Sequence, residues 1–280
     1  MKRYIKIISG LFFIIAGIVI GYFFYQKNHD RSFREVDIRY SSELVRKAHE
    51  GDPESQCTLG VCYAKAEGVE QNPSEAVKWF QLAAKQGNVR ALTNLGTAYW
   101  NGFGVDQNYK LASKYFRKAM DLGYAPGYYG LGRCYYYGFG EPKDPEMAVN
   151  LYSKAAKKGY PNAQNDLGAC YGQGYGVKMD YGKAVEWYRR AAEQGFDVAQ
   201  KNLGTCYYTA MGVLKDYAEA VKWFRASAEQ GYAPAQLALA DCYRKGHGVM
   251  KNDLEAEKWE KLAAEQGAYA ECMMVHDSVR

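Results

Sequence analysis

The sequence is poor in the residues from which most metal and catalytic sites are built. Only four histidines occur among its 280 residues: His29, His49, His247 and His276. None of them belongs to an H-E-x-x-H motif or to a cysteine–histidine cluster with zinc-ligand spacing. No S-x-x-K motif is present, and no Ser/His/Asp or Cys/His group stands apart from the rest of the chain. The sequence therefore predicts a protein that is not an enzyme and has no metal and no cofactor.

The main body of the chain also lacks an excess of charge. The formal net charge is +5, but residues 1–40 hold seven Lys/Arg against three Asp/Glu, and the remainder is nearly balanced. Nucleic-acid binding usually requires a basic face on the folded body. Because the basic excess lies around an apolar segment instead, we expect no nucleic-acid partner.

Long hydrophobic runs are absent except for one, residues 7–25, which contains 19 residues without a charge. At about 1.5 Å per residue its helix would be roughly 28 Å long, close to the thickness of a bilayer core. Lys2, Arg3 and Lys6 precede the run, and no small-residue cleavage motif follows it. We therefore expect an uncleaved transmembrane signal anchor with the N-terminus in the cytoplasm. The body would then be periplasmic or extracellular, or secreted if the segment is cleaved.

The rest of the chain repeats itself with a period of 36 residues, which is the signature of a solenoid. Several columns of this alignment never vary: a leucine, a tyrosine and an alanine recur in every unit, and a glycine closes each one. Recurrence at so many positions is not accidental. The units are 52–87, 88–123, 124–159, 160–195, 196–231 and 232–267.

Each unit reads as two helices. The first carries A-x-x-x-L-G-x-x-Y, as at Ala163, Leu167, Gly168 and Tyr171, whose spacing places alanine, leucine and tyrosine on one face. The glycine after the leucine would let a neighbouring helix approach closely. The second helix would begin after an Asn or Asp suited to cap it, with Glu75, Glu219 and Glu255 placed for a capping box. The predicted caps are Asn72, Asn108, Asp144, Asp180, Asp216 and Asn252.

The G-x-G motif at Gly174 and Gly176 raises the question of a phosphate-binding loop. A nucleotide loop would occur once, after a strand. Here the second glycine recurs in all six units between two helices, and no G-K-[ST] follows. The pattern therefore indicates the turn that joins the two helices.

The motifs above resemble Sel-1-like repeats, relatives of the tetratricopeptide repeats, and residues 160–195 match the family pattern almost throughout. The resemblance implies an all-α fold, a right-handed superhelical solenoid with a concave face, and a role as an adaptor without catalytic residues. The predicted organisation is a cytoplasmic tip and membrane anchor (1–30), a linker and N-terminal capping helix (31–51), six repeats (52–267) and a C-terminal capping helix (268–280).

Cysteine occurs once in most repeats, one residue before the recurring tyrosine. We interpret this column as small buried core residues that remain free thiols, because neighbouring helices pack about 8–10 Å apart and a disulfide needs Cα atoms within about 7 Å. A recurring tryptophan on the second helix is likewise interpreted as core. The cysteine column contains Cys62, Cys134, Cys170, Cys206 and Cys242; Cys57 and Cys272 lie outside it.

Function should then lie at first-helix positions that the repeat leaves variable. In the superfamily that the motifs resemble, the first helices line the concave groove, so these side chains would project into it. Tyr, Trp and Arg are enriched at interface hot spots, and the chain is expected to bind a partner protein or peptide, as a monomer. The candidate residues are Trp100, Tyr129, Arg133, Tyr136, Lys201, Tyr208 and Arg244.

Three alternatives remain open for this surface. It could be solvated without binding anything, or it could bind glycan or peptidoglycan by stacking sugars on its aromatic rings. The third alternative is a weak β-lactam hydrolase, as suggested for cysteine-rich relatives, although the paired cysteines of those relatives are missing here. We expect alanine at Trp100 or Tyr136 to weaken partner capture without loss of helicity.

Overall fold

The structure, a computed structural model, describes residues 40–266. The predicted anchor at 7–25 and the predicted capping segment at 268–280 lie outside the described residues. Within residues 40–266 every regular element is an α-helix, and none of these helices is long and apolar enough to span a bilayer. The helices are α1 (Ser42–His49), α2 (Pro53–Lys65), α3 (Pro73–Lys85), α4 (Val89–Asn101), α5 (Tyr109–Asp121), α6 (Ala125–Tyr137), α7 (Pro145–Lys157), α8 (Pro161–Gln173), α9 (Tyr181–Glu193), α10 (Asp197–Thr209), α11 (Tyr217–Glu229), α12 (Ala233–Lys245) and α13 (Asp253–Glu265).

The helices form an array in which each one packs mainly on the helices before and after it in sequence. From α2 onward they alternate as the first and second helices of six repeats. The side chain of Gln164 in α8 donates to the backbone oxygen of Ala156 in α7, at 3.1 Å. Gln56 makes the same bond to Ala48 in α1, also at 3.1 Å. Helix α1 therefore stands where the second helix of a preceding repeat would stand.

The interior is built from the columns that recur in the sequence. Leu59, Leu95, Leu131, Leu167, Leu203 and Leu239 are fully buried, and so is nearly all of the alanine column. The cysteines of the described residues are buried free thiols, as expected. In the tryptophan column Trp79 and Trp259 are buried, as is Leu151, whereas Trp187 and Trp223 are only partly covered.

The glycine that follows each core leucine faces an aromatic ring of the second helix in the same repeat. A Cβ on Gly204 would lie 2.7 Å from the ring of Phe224, closer than such atoms approach in folded proteins. The sixth repeat differs at both positions, with Ala240 and Glu260 in place of glycine and ring. Close helix packing, which the sequence predicted, is thus coupled to one aromatic residue. The other pairs are Gly60–Phe80, Gly96–Phe116, Gly132–Tyr152 and Gly168–Tyr188.

The second glycine of each G-x-G turn is required by both conformation and space. Gly176 has φ +68°, and a Cβ there would lie 2.2 Å from the backbone oxygen of Pro145 in the preceding repeat. The first turn glycine is the left-handed C-cap of the first helix, and alanine takes that conformation at Ala66 (φ 59°) and Ala210 (φ 62°). The motif is therefore a helix-to-helix turn packed on its neighbour.

The Asn/Asp column caps the second helices as predicted; for example, Asn72 Oδ1 accepts from the backbone N–H of Glu75 at 3.0 Å. The capping boxes do not form. The backbone N–H of Asn72 donates to the backbone oxygen of Tyr63 at 2.9 Å, so it does not need a carboxylate. The Glu75 side chain instead accepts from Lys78 at 2.9 Å.

Candidate partner-binding surface

The candidate residues lie on first helices, where a side chain near the C-terminal end of one helix meets the next first helix. Trp100 of α4 lies against Arg133 of α6, and Tyr208 of α10 bonds to Asp241 of α12. In both pairs the partners are 33 residues apart. The variable positions thus project toward the following repeat as well as away from the core.

Trp100 differs from the expectation. Its side chain is only 9% exposed, because the rings of Tyr109, Tyr137 and Phe139 cover it at centroid distances of 5.2, 6.1 and 5.8 Å. Trp100 is therefore part of the packed interior of this junction. The interpretation of Trp100 as a side chain that projects into the groove is therefore wrong, whereas its role in binding stays a prediction.

Arg133 is held among aromatic rings. Its guanidinium carbon lies 4.9 Å from the ring centre of Trp100, 5.8 Å from that of Tyr137 and 6.0 Å from that of Tyr129. Cations at such distances are attracted by the ring faces. The arginine is half-buried, so its cationic group is positioned before any partner arrives.

Tyr129 and Tyr136 lie on α6 beside Arg133, both half-buried. The Tyr129 hydroxyl donates to Asp166 Oδ2 at 2.9 Å. The Tyr136 ring packs 4.7 Å from the ring of Tyr175, whose hydroxyl donates to the Tyr136 backbone oxygen at 3.1 Å. Burial raises the pKa of Tyr136, so it remains a neutral phenol.

A chain of polar side chains continues from this cluster along the first helices. Asn165 Nδ2 donates to Asp166 Oδ1 at 3.0 Å, and Asn202 Nδ2 donates to Asn165 Oδ1 at 2.9 Å. Burial raises the pKa of Asp166, although the bonds from Tyr129 and Asn165 and the nearby Arg133 oppose the rise. These contacts connect the third, fourth and fifth repeats and limit the freedom of their side chains.

The remaining candidates, Lys201, Tyr208 and Arg244, lie in the fifth and sixth repeats. The Tyr208 hydroxyl donates to Asp241 Oδ2 at 3.1 Å and lies 2.9 Å from His247 Nδ1. Arg244 makes bonds of 2.8 and 2.6 Å to the carboxylate of Glu260, which raises its pKa. Lys201 is half-buried on α10. Only Trp100, Tyr129, Arg133 and Tyr136 therefore lie together in one cluster.

Sequence reasoning missed three aromatic residues beside this cluster: Tyr109, Tyr137 and Phe139. The Phe139 ring lies nearly parallel to that of Tyr109, 4.7 Å away, and to that of Tyr137, 5.9 Å away. Tyr137 and Phe139 are 47% and 42% exposed. A signal was available, because Tyr137 is the only aromatic residue at its position among the six repeats.

The described residues offer little for chemistry. No group of three or more His, Cys, Asp or Glu side chains within residues 40–266 is placed to hold a metal ion. Burial raises the pKa of Cys134, Cys170 and Cys242 to about 12. These thiols are protonated at neutral pH and are poor nucleophiles.

The repeat pattern matches a family model described as the Sel1 repeat, six times in succession. The chain belongs to the Sel1 repeat family. Each match begins one residue later than the unit derived from the sequence. Sel1 repeats form helical solenoids that generally act as protein-interaction scaffolds. The matched residues are 53–88, 89–124, 125–160, 161–196, 197–232 and 233–267.

Solved Sel1 repeat structures are similar to this chain. A Sel1 repeat protein from Oxalobacter formigenes is 35% identical with a TM-score of 0.68, covering 76% of this chain and 86% of its own. The protein c5321, a protective antigen present in uropathogenic Escherichia coli strains that displays an SLR fold, is 36% identical with a TM-score of 0.67, covering 80% of this chain. This chain spans only 48% of the E. coli protein.

A more distant similarity shows the fold alone. The immunity protein Pa5087 from Pseudomonas aeruginosa is 20% identical over 78% of this chain and 83% of its own, with a TM-score of 0.57. No curated protein is significantly similar to the chain.

Proposed function

We propose that the protein is a non-catalytic scaffold that binds a partner protein or peptide through the first helices of its second and third repeats. The single observation that carries this proposal is the placement of Arg133 among Trp100, Tyr129 and Tyr137. Arginine and large aromatic residues dominate interface hot spots, and side chains that are already ordered lose less entropy on binding. Trp100 is buried within the cluster, whereas Tyr136 and Arg133 are half-buried.

For the rest of the chain we propose the arrangement that the sequence predicts. The solenoid is a right-handed superhelix whose first helices line a concave groove, and the body acts as a monomer without a nucleic-acid partner. Residues 7–25 anchor the chain in a membrane with the N-terminus in the cytoplasm and the repeats in the periplasm or outside the cell. Support for the anchor comes from its length and from the lysines and arginine before it.

Glycan binding is the second candidate, but the ring geometry favours a peptide. A sugar stacks on an open ring face, whereas the Phe139 ring lies near-parallel to the rings of Tyr109 and Tyr137, 4.7 and 5.9 Å away, which leaves less of its faces open. Ring edges carry partial positive charge and attract oxygen atoms. Backbone carbonyl and carboxylate oxygens of a peptide meet this requirement.

The test compares capture by the full chain and by Arg133→Ala and Tyr136→Ala variants, from cells, with quantitative mass spectrometry. Lys154→Ala is the matched control, because Lys154 is an exposed cation on a second helix, α7. We expect a protein that the wild type and Lys154→Ala capture equally and that Arg133→Ala and Tyr136→Ala lose. Equal capture by all four proteins, or capture of cell-wall fragments instead, would exclude this function for the surface.

A further inference from the structure

The turn of the third repeat departs from the other five turns of the chain. Glu141 stands where every other repeat has valine. At four other junctions that valine packs in an apolar cluster with a valine of the preceding repeat. Here the preceding repeat has Ser113 instead, and Pro142 follows in the turn. One junction has thus exchanged an apolar pair for a polar pair. The valines of the turn column are Val69, Val105, Val177, Val213 and Val249.

The exchanged residues form a satisfied polar network. Glu141 Oε1 accepts from the buried Ser113 hydroxyl and, at 2.7 Å, from Arg117 Nη2. Burial would raise the pKa of Glu141, but the bonds from Ser113 and Arg117 outweigh it and lower that pKa. The carboxylate is therefore ionised and already neutralised by Arg117.

Packing does not require this network. The side chains of Arg117 and Glu141 are 44% and 19% exposed, and ion pairs that solvent reaches contribute little to stability. The other junctions use valine. Positions that break the local rule of a fold are most often functional. The departure adjoins the stack of Tyr109, Phe139 and Tyr137. Tyr217 and His247 form the equivalent of the Tyr109–Phe139 pair at the junction of the fifth and sixth repeats, but Lys245 stands there in place of Tyr137.

An open depression of about 590 Å³ adjoins the stack. Tyr109 belongs to both the stack and the lining of the depression. Lys110, Glu141 and Pro142 also line it. Its size lies within the usual range for ligand sites. Lys110 is exposed, whereas the only acid in the lining, Glu141, is paired with Arg117.

The rim of this surface is basic. Lys143, also exposed, follows Pro142 in the turn, and its ammonium lies 5.6 Å from the ring centre of Tyr175. Arg133 lies below Tyr137. Cationic side chains complement carboxylates. Aromatic-lined grooves of this kind also accept proline in extended segments.

We propose that Tyr109, Lys110, Tyr137, Phe139 and Pro142 form a docking site for an extended acidic peptide segment of a partner protein. A proline or aromatic ring of the peptide enters the depression beside Tyr109, and its carboxylates face Lys110 and Lys143. This proposal rests on the proposed function and names the chemistry of its partner. The adjoining Arg133 cluster contacts the same peptide further along.

The test selects binders to the immobilised full chain from a random library of short peptides displayed on phage. Selected peptides are then synthesised with a fluorophore, and their affinity is measured by anisotropy. We expect acidic sequences that contain proline or an aromatic residue. Phe139→Ala and Lys110→Glu should each weaken binding about tenfold or more.

The matched control is Met211→Ala, because Met211 occupies the position of Phe139 in the fifth repeat and is 44% exposed. It should bind like the wild type. Peptides that lose affinity with Arg133→Ala but not with Phe139→Ala or Lys110→Glu would overturn this site and leave the proposed function standing. If no acidic consensus is selected, the docking site is wrong. If no variant changes affinity, Arg133→Ala included, both proposals are wrong.

Discussion

Gly168 of α8 packs against the ring of Tyr188 of α9 so closely that a Cβ on the glycine would lie 2.8 Å from the ring. The glycine's own helix would be more stable with alanine by about 0.5–1 kcal/mol. The repeat accepts that cost because it lets the aromatic ring fill the space between the two helices. The same contact occurs in five repeats, and the sixth repeat, which lacks the glycine, also lacks the ring, with Ala240 and Glu260 at these positions.

Alanine at Gly168 should therefore destabilise the protein, by about 1–3 kcal/mol as overpacking usually does. Gly172, one turn later in the same helix, is the control, since a Cβ there would meet nothing closer than 3.8 Å. Gly172→Ala should stabilise the protein by about 0.5–1 kcal/mol. Urea unfolding followed by circular dichroism measures both. Changes of the same sign would contradict this account of the glycine.

The left-handed alanines offer a second prediction. Ala66 and Ala210 adopt φ 59° and 62° at exposed helix ends, a conformation that costs a non-glycine residue about 1–2 kcal/mol. Glycine at either position should raise the melting temperature despite its greater freedom in the unfolded chain. Ala218→Gly, at an exposed helical alanine in α11, should lower it. If Ala66→Gly and Ala210→Gly lower it as well, the turns are not strained.

Much of this fold could be predicted from the sequence, because the same residues recur at the same positions of each repeat. The spacing of Leu167 and Tyr171 predicts a buried helix face, and the Asn72 column predicts where second helices begin. The failed capping box has a cause that the local sequence does not contain: the N–H of Asn72 finds a partner in Tyr63, nine residues earlier. This hydrogen bond forms only when the turn between the two helices is folded.

Trp100 shows why the site was harder to predict than the fold. Its position in the repeat is variable, which suggested an exposed anchor, but Phe139 of the next repeat covers it. Arg133, Tyr137 and Phe139, which pack on Trp100, come from 33 to 39 positions away, and only Tyr109 is close in sequence. Tyr137 and Glu141, each unusual in its column, marked this junction in the sequence.

The burial of Trp100 has a measurable consequence. Trp100→Ala should cost about 3–5 kcal/mol of unfolding free energy, as expected for a large buried ring. Tyr137→Ala, at a ring that is 47% exposed, should cost far less. Chemical denaturation of both variants decides the point. Wild-type stability of the Trp100→Ala variant would contradict the burial of Trp100.

The buried thiols predict an alkaline loss of stability. Burial raises the pKa of Cys57, Cys134, Cys170 and Cys242 to about 12 in the folded protein, against about 8.5 when unfolded. Because the folded state then holds more protons, this stability is fully present below about pH 8.5 and is lost as the pH rises toward 12. Melting temperatures measured across this range should fall.

A cysteine variant separates this effect from other alkaline changes. The second repeat already has Ala98 at the cysteine position, so Cys134→Ala and Cys170→Ala are compatible with the core. The double variant should lose less stability between neutral and alkaline pH than the wild type does. An unchanged pH dependence would show that these thiols do not contribute to it.

The most direct measurement is photocrosslinking in living cells from a probe at position 136, followed by mass spectrometry. The control probe replaces Gly172, which holds the same position in the next repeat. We expect the probe at position 136 to form an adduct with one specific protein, at an acidic segment of that protein. The adduct from the probe at position 172 should be weaker or absent. Adducts with glycan only, or equal protein adducts from both positions, would contradict this expectation.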